Sequence, residues 1–363
     1  MVIRKESINR LLEILSKDAE VFVPLYESIE DKVSGTVEKE KKFGLYSPGA
    51  EVELEGSNTV RPPKDLCFPN VEKLYSFKAA GDDSHIHEII PEDGKKILFG
   101  VRPCDVRSIG SMDKVFLTDK YVDSYYAMRR KFLTIVAMGC TSPERTCFCD
   151  SMDIDPNHAP GADVMINNCT GSAEENYVLE ALSEKGEELL RSVEELGQDI
   201  EGLPERITQC TLKISRAQNL DRKLSEMFEH PIWDRISKGC IGCGTCTFIC
   251  PTCYCFDIDN ENYGAEGCKY RCWDSCMFSD YTRMAGGANP RPTKKERLRN
   301  RYMHKLSYFN ERYGETLCVG CGRCIANCPS HLDISEFIEK ASAADPKAQS
   351  YTDIPISGAG KEV

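Results

Sequence analysis

The chain has 363 residues, of which 41% are apolar and 29% charged, and its net charge is −12 at neutral pH. This composition is typical of a folded protein with two or three domains. The negative charge disfavours non-specific nucleic-acid binding, which needs a positive surface. No apolar run approaches the roughly 20 residues that span a bilayer, and the amphipathic N-terminus lacks the apolar core of a signal peptide. We therefore expect a cytoplasmic protein that has no membrane span and binds no nucleic acid.

The first half of the chain has the pattern of an α/β domain. Ser7 precedes a short run in which the apolar residues share one helical face, so it is a candidate cap. Residues 30–65 are polar and rich in glycine and proline, which predicts a loop or irregular edge structure. The apolar spacing over 174–196 predicts a helix that ends at Gly197. Three apolar runs predict buried strands, at residues 21–25, 97–101 and 132–138.

An internal repeat carries eight of the twenty cysteines. The pattern C-x2-C-x2-C-x3-C-P occurs at residues 240–251 and again at 318–329, with an insertion of 67 residues (251–317) between them. In bacterial-type ferredoxins this pattern holds two [4Fe–4S] clusters, and the fourth cysteine of each repeat binds the cluster of the other repeat. The predicted ligands are Cys240, Cys243, Cys246 and Cys328 for one cluster, and Cys318, Cys321, Cys324 and Cys250 for the other.

Two other uses of these cysteines fit the pattern poorly. Disulfide frameworks belong mainly to small exported domains, and this chain carries no export signal. Zinc ribbons use separated C-x2-C pairs and have no use for a third and fourth cysteine at this spacing. The small residues Gly242, Gly244, Gly320 and Gly322 would let backbone amides approach the sulfides of a cluster. The repeat therefore favours iron–sulfur clusters.

A second group of cysteines follows two of the predicted strands. Ligands bound by open α/β sheets usually lie at the carboxyl ends of the strands. The group can supply the four thiolates of a third [4Fe–4S] cluster, although a zinc site and buried free thiols remain alternatives. If that centre were catalytic instead, Arg102 and Asp105 would be its candidate polar groups. The group consists of Cys104, Cys140, Cys147 and Cys149.

The insertion contains five more cysteines and a basic stretch. Cys253, Cys255 and Cys276 could belong to a fourth cluster, or they could shield the ferredoxin clusters as small apolar groups. If residues 268–276 were helical, Cys268, Cys272 and Cys276 would share one face. Cys67, Cys169 and Cys210 stand alone and are interpreted as structural. The basic stretch could dock an acidic partner or offset the negative charge of clusters and thiolates, and it comprises Arg291, Lys294, Lys295, Arg297, Arg299, Arg301 and Lys305.

Several longer strings give the chain a family resemblance. It resembles the iron–sulfur beta subunit of cytosolic NiFe sulfhydrogenases and the related iron–sulfur subunit of anaerobic sulfite reductases. The resemblance covers most of residues 58–330. The strings are NTVRPPKDLCFP (58–69), LFGVRPCD (98–105), CFCDS (147–151), CPTCYCFDI (250–258), WDSCMF (273–278), NPRPTKKERLRNRYMHK (289–305) and CVGCGRCIANCP (318–329).

The resemblance implies an electron-transfer subunit of a multi-subunit oxidoreductase in anaerobic metabolism. Its implied partners are a flavoprotein that binds NAD(P)H and a catalytic subunit of the hydrogenase, sulfite reductase or heterodisulfide-reductase-like type. The chain itself would be non-catalytic. Two alternatives are a catalytic iron–sulfur site in the N-terminal domain and an iron–sulfur redox sensor.

The expected fold combines α/β and α+β parts in four regions. An N-terminal α/β domain with its own iron–sulfur site occupies residues 1–173, and a helical connector occupies 174–238. A bacterial-type two-cluster ferredoxin domain that contains the long insertion follows at 239–332. Residues 333–363 form a C-terminal helix and tail.

Overall fold

The computed structural model describes residues 1–30, 35–56, 58–79, 81, 84–91, 94–170, 175–200, 202–207 and 209–349. These residues form two compact units. The first unit contains residues 1–68 and 91–211, and the second contains residues 69–90 and the chain from Leu212 onward. The second unit thus takes a segment from the first quarter of the sequence, and the observed division does not follow the boundaries expected at residues 173 and 238. Residues 350–363 of the expected C-terminal tail lie outside the described residues.

The strands and α-helices are numbered in chain order. The strands are β1 (Val2–Arg4), β2 (Glu20–Glu30), β3 (Val37–Leu45), β4 (Val71–Lys78), β5 (His85–Glu88), β6 (Lys96–Val101), β7 (Leu133–Met138), β8 (Val164–Thr170), β9 (Asn176–Ala181), β10 (Leu203–Pro204), β11 (Phe256–Tyr263) and β12 (Glu266–Trp273). The helices are α1 (Ile8–Leu15), α2 (Pro103–Phe116), α3 (Ser124–Phe132), α4 (Glu184–Ser192), α5 (Leu220–Glu226), α6 (Ile232–Lys238), α7 (Thr245–Phe248), α8 (Lys294–Met303), α9 (Phe309–Tyr313), α10 (Arg323–Ala326) and α11 (Ile334–Ala343).

The first unit is built on a mixed sheet in the order β1-β9-β8-β7-β6-β2-β3, with β10 beside β8. The four central strands β8, β7, β6 and β2 are parallel, and the outer pairs are antiparallel. The core lies between the apolar face of α1 and the sheet, where Leu11 and Leu12 join Phe99 and Val136 in one buried cluster. Because β6 and β7 are parallel neighbours, Cys104 and Cys140 follow strands that end at the same edge. The sheet therefore sets the position of the N-terminal cysteines.

The three strands predicted from apolar runs are confirmed as β2, β6 and β7. Residues 30–65 were predicted to be a loop or irregular edge structure, and within them residues 37–45 form a regular edge strand, β3, beside β2. Most residues of β3 are partly or fully exposed on the edge of the sheet, so they carry no apolar alternation. Residues 31–34 and 57 of that segment lie outside the described residues.

Two helix predictions also need correction. Within residues 174–196 the chain first forms strand β9, and helix α4 begins only at Glu184. The apolar residues of this strand continue the spacing of the helix that follows, so the periodicity does not separate the two elements. Ser7 does precede helix α1, but its side chain makes no capping hydrogen bond. Residue 174 lies outside the described residues.

The second unit combines a four-stranded antiparallel sheet, in the order β11-β12-β4-β5, with the ferredoxin-like helices. The hairpin β11–β12 lies in the insertion, and β4 comes from near residue 75. A buried ion pair between Glu72 and Arg271 joins β4 to β12. Elsewhere in the unit the ring of Phe337 packs against Trp233 at 5.0 Å and against Tyr302 at 4.6 Å. Among the helices that the structure describes, none is both long and apolar enough to cross a bilayer.

The tightest backbone approach in the first unit lies at the start of α4 and leads to a stability prediction. A Cβ atom built on Gly186 would lie 1.9 Å from the carbonyl oxygen of Asp163. The side chain of Asp163 also accepts the backbone N–H of Ile135 and the hydroxyl of Ser183, which fixes that carbonyl in place. We predict that Gly186→Ala lowers the free energy of unfolding by about 1–3 kcal/mol, the usual cost of overpacking.

The measurement is the midpoint of urea unfolding of the full chain, followed by circular dichroism. Gly110→Ala is the matched control, because Gly110 is also helical and nothing lies within 4 Å of its added Cβ. This control should be neutral or slightly stabilising, since alanine favours a helix over glycine. Equal midpoints for the two variants would show that helix α4 can move away from Asp163.

Candidate metal centres

The two cysteine repeats fold into the same local structure. In each repeat a short helix begins directly after the second glycine, α7 in the first repeat and α10 in the second. Their N-cap residues are Gly244, with φ 79° and ψ −13°, and Gly322, with φ 73° and ψ −14°. In both repeats the glycine carbonyl accepts the N–H groups three and four residues on. The left-handed conformation explains why the sequence has glycine there, and at Gly244 a Cβ would also lie 2.7 Å from the ring of Phe278.

Cysteines from both repeats line one cavity. Cys240, Cys243 and Cys246 of the first repeat face it together with Cys328, the last cysteine of the second. The sequence predicts these four as one crossed ligand set, and Cys324 of the other set lines the same cavity. Apolar side chains, including those of Met277 and Leu298, form much of the remaining wall. Among the residues that the structure describes, no three ligand side chains are placed to hold a single metal ion.

The second set of predicted ligands also lies together. Burial raises the pKa of Cys318 to about 11, and the nearby Cys250 and Cys321 raise it further while the charge of Lys305 opposes them. Burial likewise raises the pKa of Cys324 to about 12, with Cys318 and Cys250 among its neighbours. Cys324 also lies on the wall of the first cavity. The two sets are therefore adjacent within the second unit.

Two buried cations lie beside these cysteines. Arg301 is on α8, and Lys305 is one turn further, in the π-helical segment His304–Tyr308 that continues it. Their exposed fractions are 4% and 2%. The Nζ atom of Lys305 lies 3.1 Å from the sulfur of Cys250 and 2.9 Å from the hydroxyl of Thr252.

Arg301 faces the first cavity, and within the described part of the chain its Nε and Nη2 atoms have no hydrogen-bond partner. Burial opposes its positive charge, yet the neighbouring Cys246 and Cys324 hold its pKa well above the usual range. Burying an unpaired cation is costly. The unused donors therefore point to an anionic group in the cavity, and a cluster with its thiolates is such a group.

Three other residues of the basic stretch have local partners in the second unit. Lys295 forms a 2.8 Å ion pair with Asp234. Arg299 stacks on the ring of Phe228, 3.8 Å from its centre. Arg297 is buried and donates to the carbonyl oxygens of Arg291 and Pro292. Of the two roles considered for this stretch, the buried positions of Arg301 and Lys305 favour charge compensation.

Three cysteines of the insertion lie near Cys250. The thiol of Cys253 donates a hydrogen bond to the sulfur of Cys250, and the thiol of Cys276 donates one to the sulfur of Cys255. The bond from Cys276 lowers the pKa of Cys255 to about 6 against the effect of burial, with help from the hydroxyl of Tyr281 and the charge of Lys305. The tentative ligands Cys253, Cys255 and Cys276 are therefore brought together.

Cys268 and Cys272 are not part of this group, and the helix considered as one possibility for residues 268–276 does not form. Both lie on strand β12, which is held between β11 and β4. The sulfur of Cys268 lies 3.8 Å from the carboxylate of Glu261. The intervals of four residues that suggested a helical face also place side chains on one face of a strand.

The N-terminal cysteines meet at the edge of the first sheet. Cys104 starts helix α2, Cys140 follows β7, and Cys147 and Cys149 precede the 3₁₀ turn Asp150–Met152. The side-chain amide of Asn58 lies between two of them, 4.0 Å from the sulfur of Cys104 and 3.8 Å from that of Cys147. All of these residues belong to the first unit.

Cys210, interpreted from the sequence as structural, also lies in this group. Its sulfur is 3.2 Å from that of Cys149. No motif or spacing marks Cys210 in the sequence, because it is 61 residues away from its neighbour. Cys67 is fully buried, and burial raises its pKa to about 12, which fits the structural role expected of it.

Arg102 connects the strand ends beneath these cysteines. It is buried, and its guanidinium donates to the carbonyl oxygens of Gly139, Leu54 and Gly56 at 2.8, 2.6 and 3.0 Å. These bonds tie the end of β6 to the end of β7. Its geometry is that of a structural residue, and Asp105 is also buried, at 1% exposure.

Comparison with known proteins supports the assignment of the repeats. Residues 239–332 match the 4Fe-4S dicluster domain family, a range that spans both repeats and the insertion. The region is therefore a domain for two [4Fe–4S] clusters, as the cysteine pattern predicted. No significant match exists among solved structures.

A curated protein extends the similarity over most of the chain. Sulfhydrogenase 2 subunit beta of Pyrococcus furiosus is 31% identical over 299 residues, which are 80% of this chain and 85% of that protein. The family resemblance seen in the sequence strings is confirmed by this match. The chain belongs to the family of sulfhydrogenase beta subunits, which makes it an iron–sulfur subunit of an oxidoreductase.

Proposed function

We propose that this chain relays electrons between a flavoprotein subunit that binds NAD(P)H and a catalytic subunit in a cytoplasmic oxidoreductase complex. The observation that carries the proposal is a cavity lined by cysteines of both repeats, with a buried arginine whose Nε and Nη2 donors have no partner among the described residues. The name of the relative, a sulfhydrogenase subunit, favours a catalytic partner of the hydrogenase type. Sulfite reductase and heterodisulfide-reductase-like partners remain within the proposal.

The eight ferredoxin cysteines would hold the two clusters in crossed sets. When bound, [4Fe–4S] clusters accept and release single electrons. The chain's own contribution is to supply thiolates from both repeats, exclude water with an apolar wall, and provide cations. The sets are Cys240, Cys243, Cys246 and Cys328, and Cys318, Cys321, Cys324 and Cys250.

Adjacency of the two sets supports a relay. Cys324 of the second set borders the cavity of the first, and Arg301 lies beside both Cys246 and Cys324. One side chain thus contacts both sites. Because the two predicted cluster sites are adjacent, an electron could pass directly from one cluster to the other. This arrangement favours electron transfer over substrate binding.

Two further centres belong to the proposal. The N-terminal cysteines would hold a third [4Fe–4S] cluster, and the burial of Cys104, Cys147 and Cys149 in the first unit fits such a group. Cys253, Cys255 and Cys276 would contribute to a fourth, because they lie together beside Cys250. A catalytic role for the N-terminal site finds less support, since Arg102 is committed to three carbonyl oxygens.

The first prediction concerns the isolated chain. Prepared without oxygen, it should contain at least about eight irons per chain and give electron paramagnetic resonance signals on reduction. It should not turn over NADH or sulfite by itself, because the flavin and the catalytic centre belong to other subunits. Substantial turnover by the pure chain would contradict the relay role.

The second prediction concerns Lys305. Reduction adds negative charge to a cluster, and a buried ammonium 3.1 Å from a ligand sulfur stabilises that charge. Lys305→Met should therefore lower the potential of one ferredoxin cluster, by about 59 mV or more, which is a tenfold change in a one-electron equilibrium constant. The measurement is a redox titration followed by electron paramagnetic resonance.

Lys294→Met is the matched control, since Lys294 is exposed on the same helix. It should leave both potentials unchanged. Lys305→Arg keeps the positive charge and should retain most of the wild-type potential. Iron content is measured on the same samples, and an unchanged potential in a fully loaded Lys305→Met variant would exclude the proposed role.

A further inference from the structure

Thr252 is a fully buried polar residue to which the proposed function gives no role. It lies in the insertion, two residues after Cys250, and it is 0% exposed. Within the described part of the chain its hydroxyl oxygen has two polar neighbours, the Nζ atom of Lys305 at 2.9 Å and the sulfur of Cys250 at 3.3 Å. Because a hydroxyl group has a single proton, the direction of each bond decides what Thr252 does.

Both bonds have a fixed direction when Cys250 is a cluster ligand. An ammonium group only donates hydrogen bonds, so the oxygen of Thr252 accepts one from Lys305. A cysteine that binds iron does so as a thiolate and has no proton left to donate. The hydroxyl proton of Thr252 therefore points to the sulfur of Cys250.

The surrounding backbone holds the three groups in register. The hydroxyl of Tyr254 lies 3.0 Å from Nε2 of His304, which fastens the loop after Cys250 to the π-helical segment that carries Lys305. The N–H of Leu317 donates to the carbonyl oxygen of Lys305 at 2.8 Å. Turns of π-helix are frequent at functional sites. Here the turn directs the ammonium group to both the hydroxyl and the sulfur.

The matching position of the second repeat is built differently. There Cys328 and Ser330 stand where the first repeat and its flank have Cys250 and Thr252. The sulfur of Cys328 accepts the backbone N–H of Leu332 at 3.3 Å, and among the described residues no bond joins it to the hydroxyl of Ser330. A side-chain hydroxyl bonded to the crossing cysteine is thus a feature of the Cys250 site.

We propose that Thr252 is a positioning residue of the site formed by the second ligand set, where it donates a hydrogen bond to the sulfur of Cys250 and raises the potential of the cluster held there. The proposal rests on the two ferredoxin clusters of the proposed function. Hydrogen bonds to ligand sulfurs help to set the potential of a cluster, because they stabilise its more negative reduced state. Thr252 thus adds a neutral donor to the charged donor Lys305.

The test is a redox titration of the full chain, reconstituted without oxygen and followed by electron paramagnetic resonance. Thr252→Val removes the hydroxyl and keeps the shape of the side chain. It should lower the potential of the cluster that Lys305→Met also affects, by up to a tenfold change in the one-electron equilibrium constant, which is about 59 mV. Thr252→Ser keeps the hydroxyl and should restore the wild-type potential.

Ser330→Ala is the matched control, since it removes the corresponding hydroxyl of the other repeat. It should leave the potential of the cluster bound by Cys250 unchanged. Iron and acid-labile sulfide are measured on every sample, so that potentials are compared only between fully loaded chains.

A second comparison separates direct donation from a merely structural role. If Thr252 only held the ammonium of Lys305 in place, its hydroxyl would have no effect once Lys305 is replaced. Direct donation to Cys250 does not need the ammonium. Thr252→Val should therefore lower the potential further in the Lys305→Met background. Equal potentials with and without the hydroxyl in that background would overturn the proposal.

The outcomes also separate this inference from the proposed function. Equal potentials in loaded wild-type and Thr252→Val chains would overturn the inference and leave the relay role intact. A wild-type chain that loads no cluster at the second ligand set would instead contradict the proposed function, and the inference with it. If Thr252→Val fails to load iron, Thr252→Ala replaces it, and an unchanged potential in that variant would equally overturn the inference.

Discussion

The contact between Lys305 and Cys250 meets the main physical requirement of this protein: buried thiolates need a buried positive charge beside them. An ion removed from water without a partner costs several kcal/mol. Lys305 and Arg301 are separated by one helical turn; Lys305 contacts Cys250 of one cysteine set, and Arg301 lies beside cysteines of both sets. Both come from the insertion that splits the ferredoxin repeats. The insertion therefore completes the electrostatics of the cluster sites and is more than a spacer between them.

The helix that carries these cations is built for its position. Its first turn has a capping box, in which the side chain of Thr293 accepts the N–H of Lys295 and the carboxylate of Glu296 accepts the N–H of Thr293. On its outer face, Lys295 forms an ion pair with Asp234 and Arg299 stacks on the ring of Phe228. The capped first turn and these two contacts hold the helix in a position from which Arg301 and Lys305 face the cysteines.

Local patterns in the sequence predicted much of the fold and the ferredoxin site. Buried parallel strands are continuous apolar runs, so β6 and β7 were recognised, and their parallel pairing brings Cys104 and Cys140 to one edge. Pairing between distant segments has no such local signal. Nothing in residues 71–78 indicates that they lie beside β12, nearly 200 residues later. Cys210 was missed for the same reason, because only the hydrogen bonds of its segment to the Asp150 loop reveal its neighbours.

The most direct test of the account is the iron arrangement in an anaerobically crystallised chain, measured by anomalous scattering at the iron absorption edge. We expect iron in the cavity of Cys240, Cys243 and Cys246, with Cys328 of the other repeat as the fourth ligand. We also expect the ammonium of Lys305 to remain within hydrogen-bonding distance of Cys250. Clusters bound entirely within their own repeats, or a cavity without iron, would contradict the account.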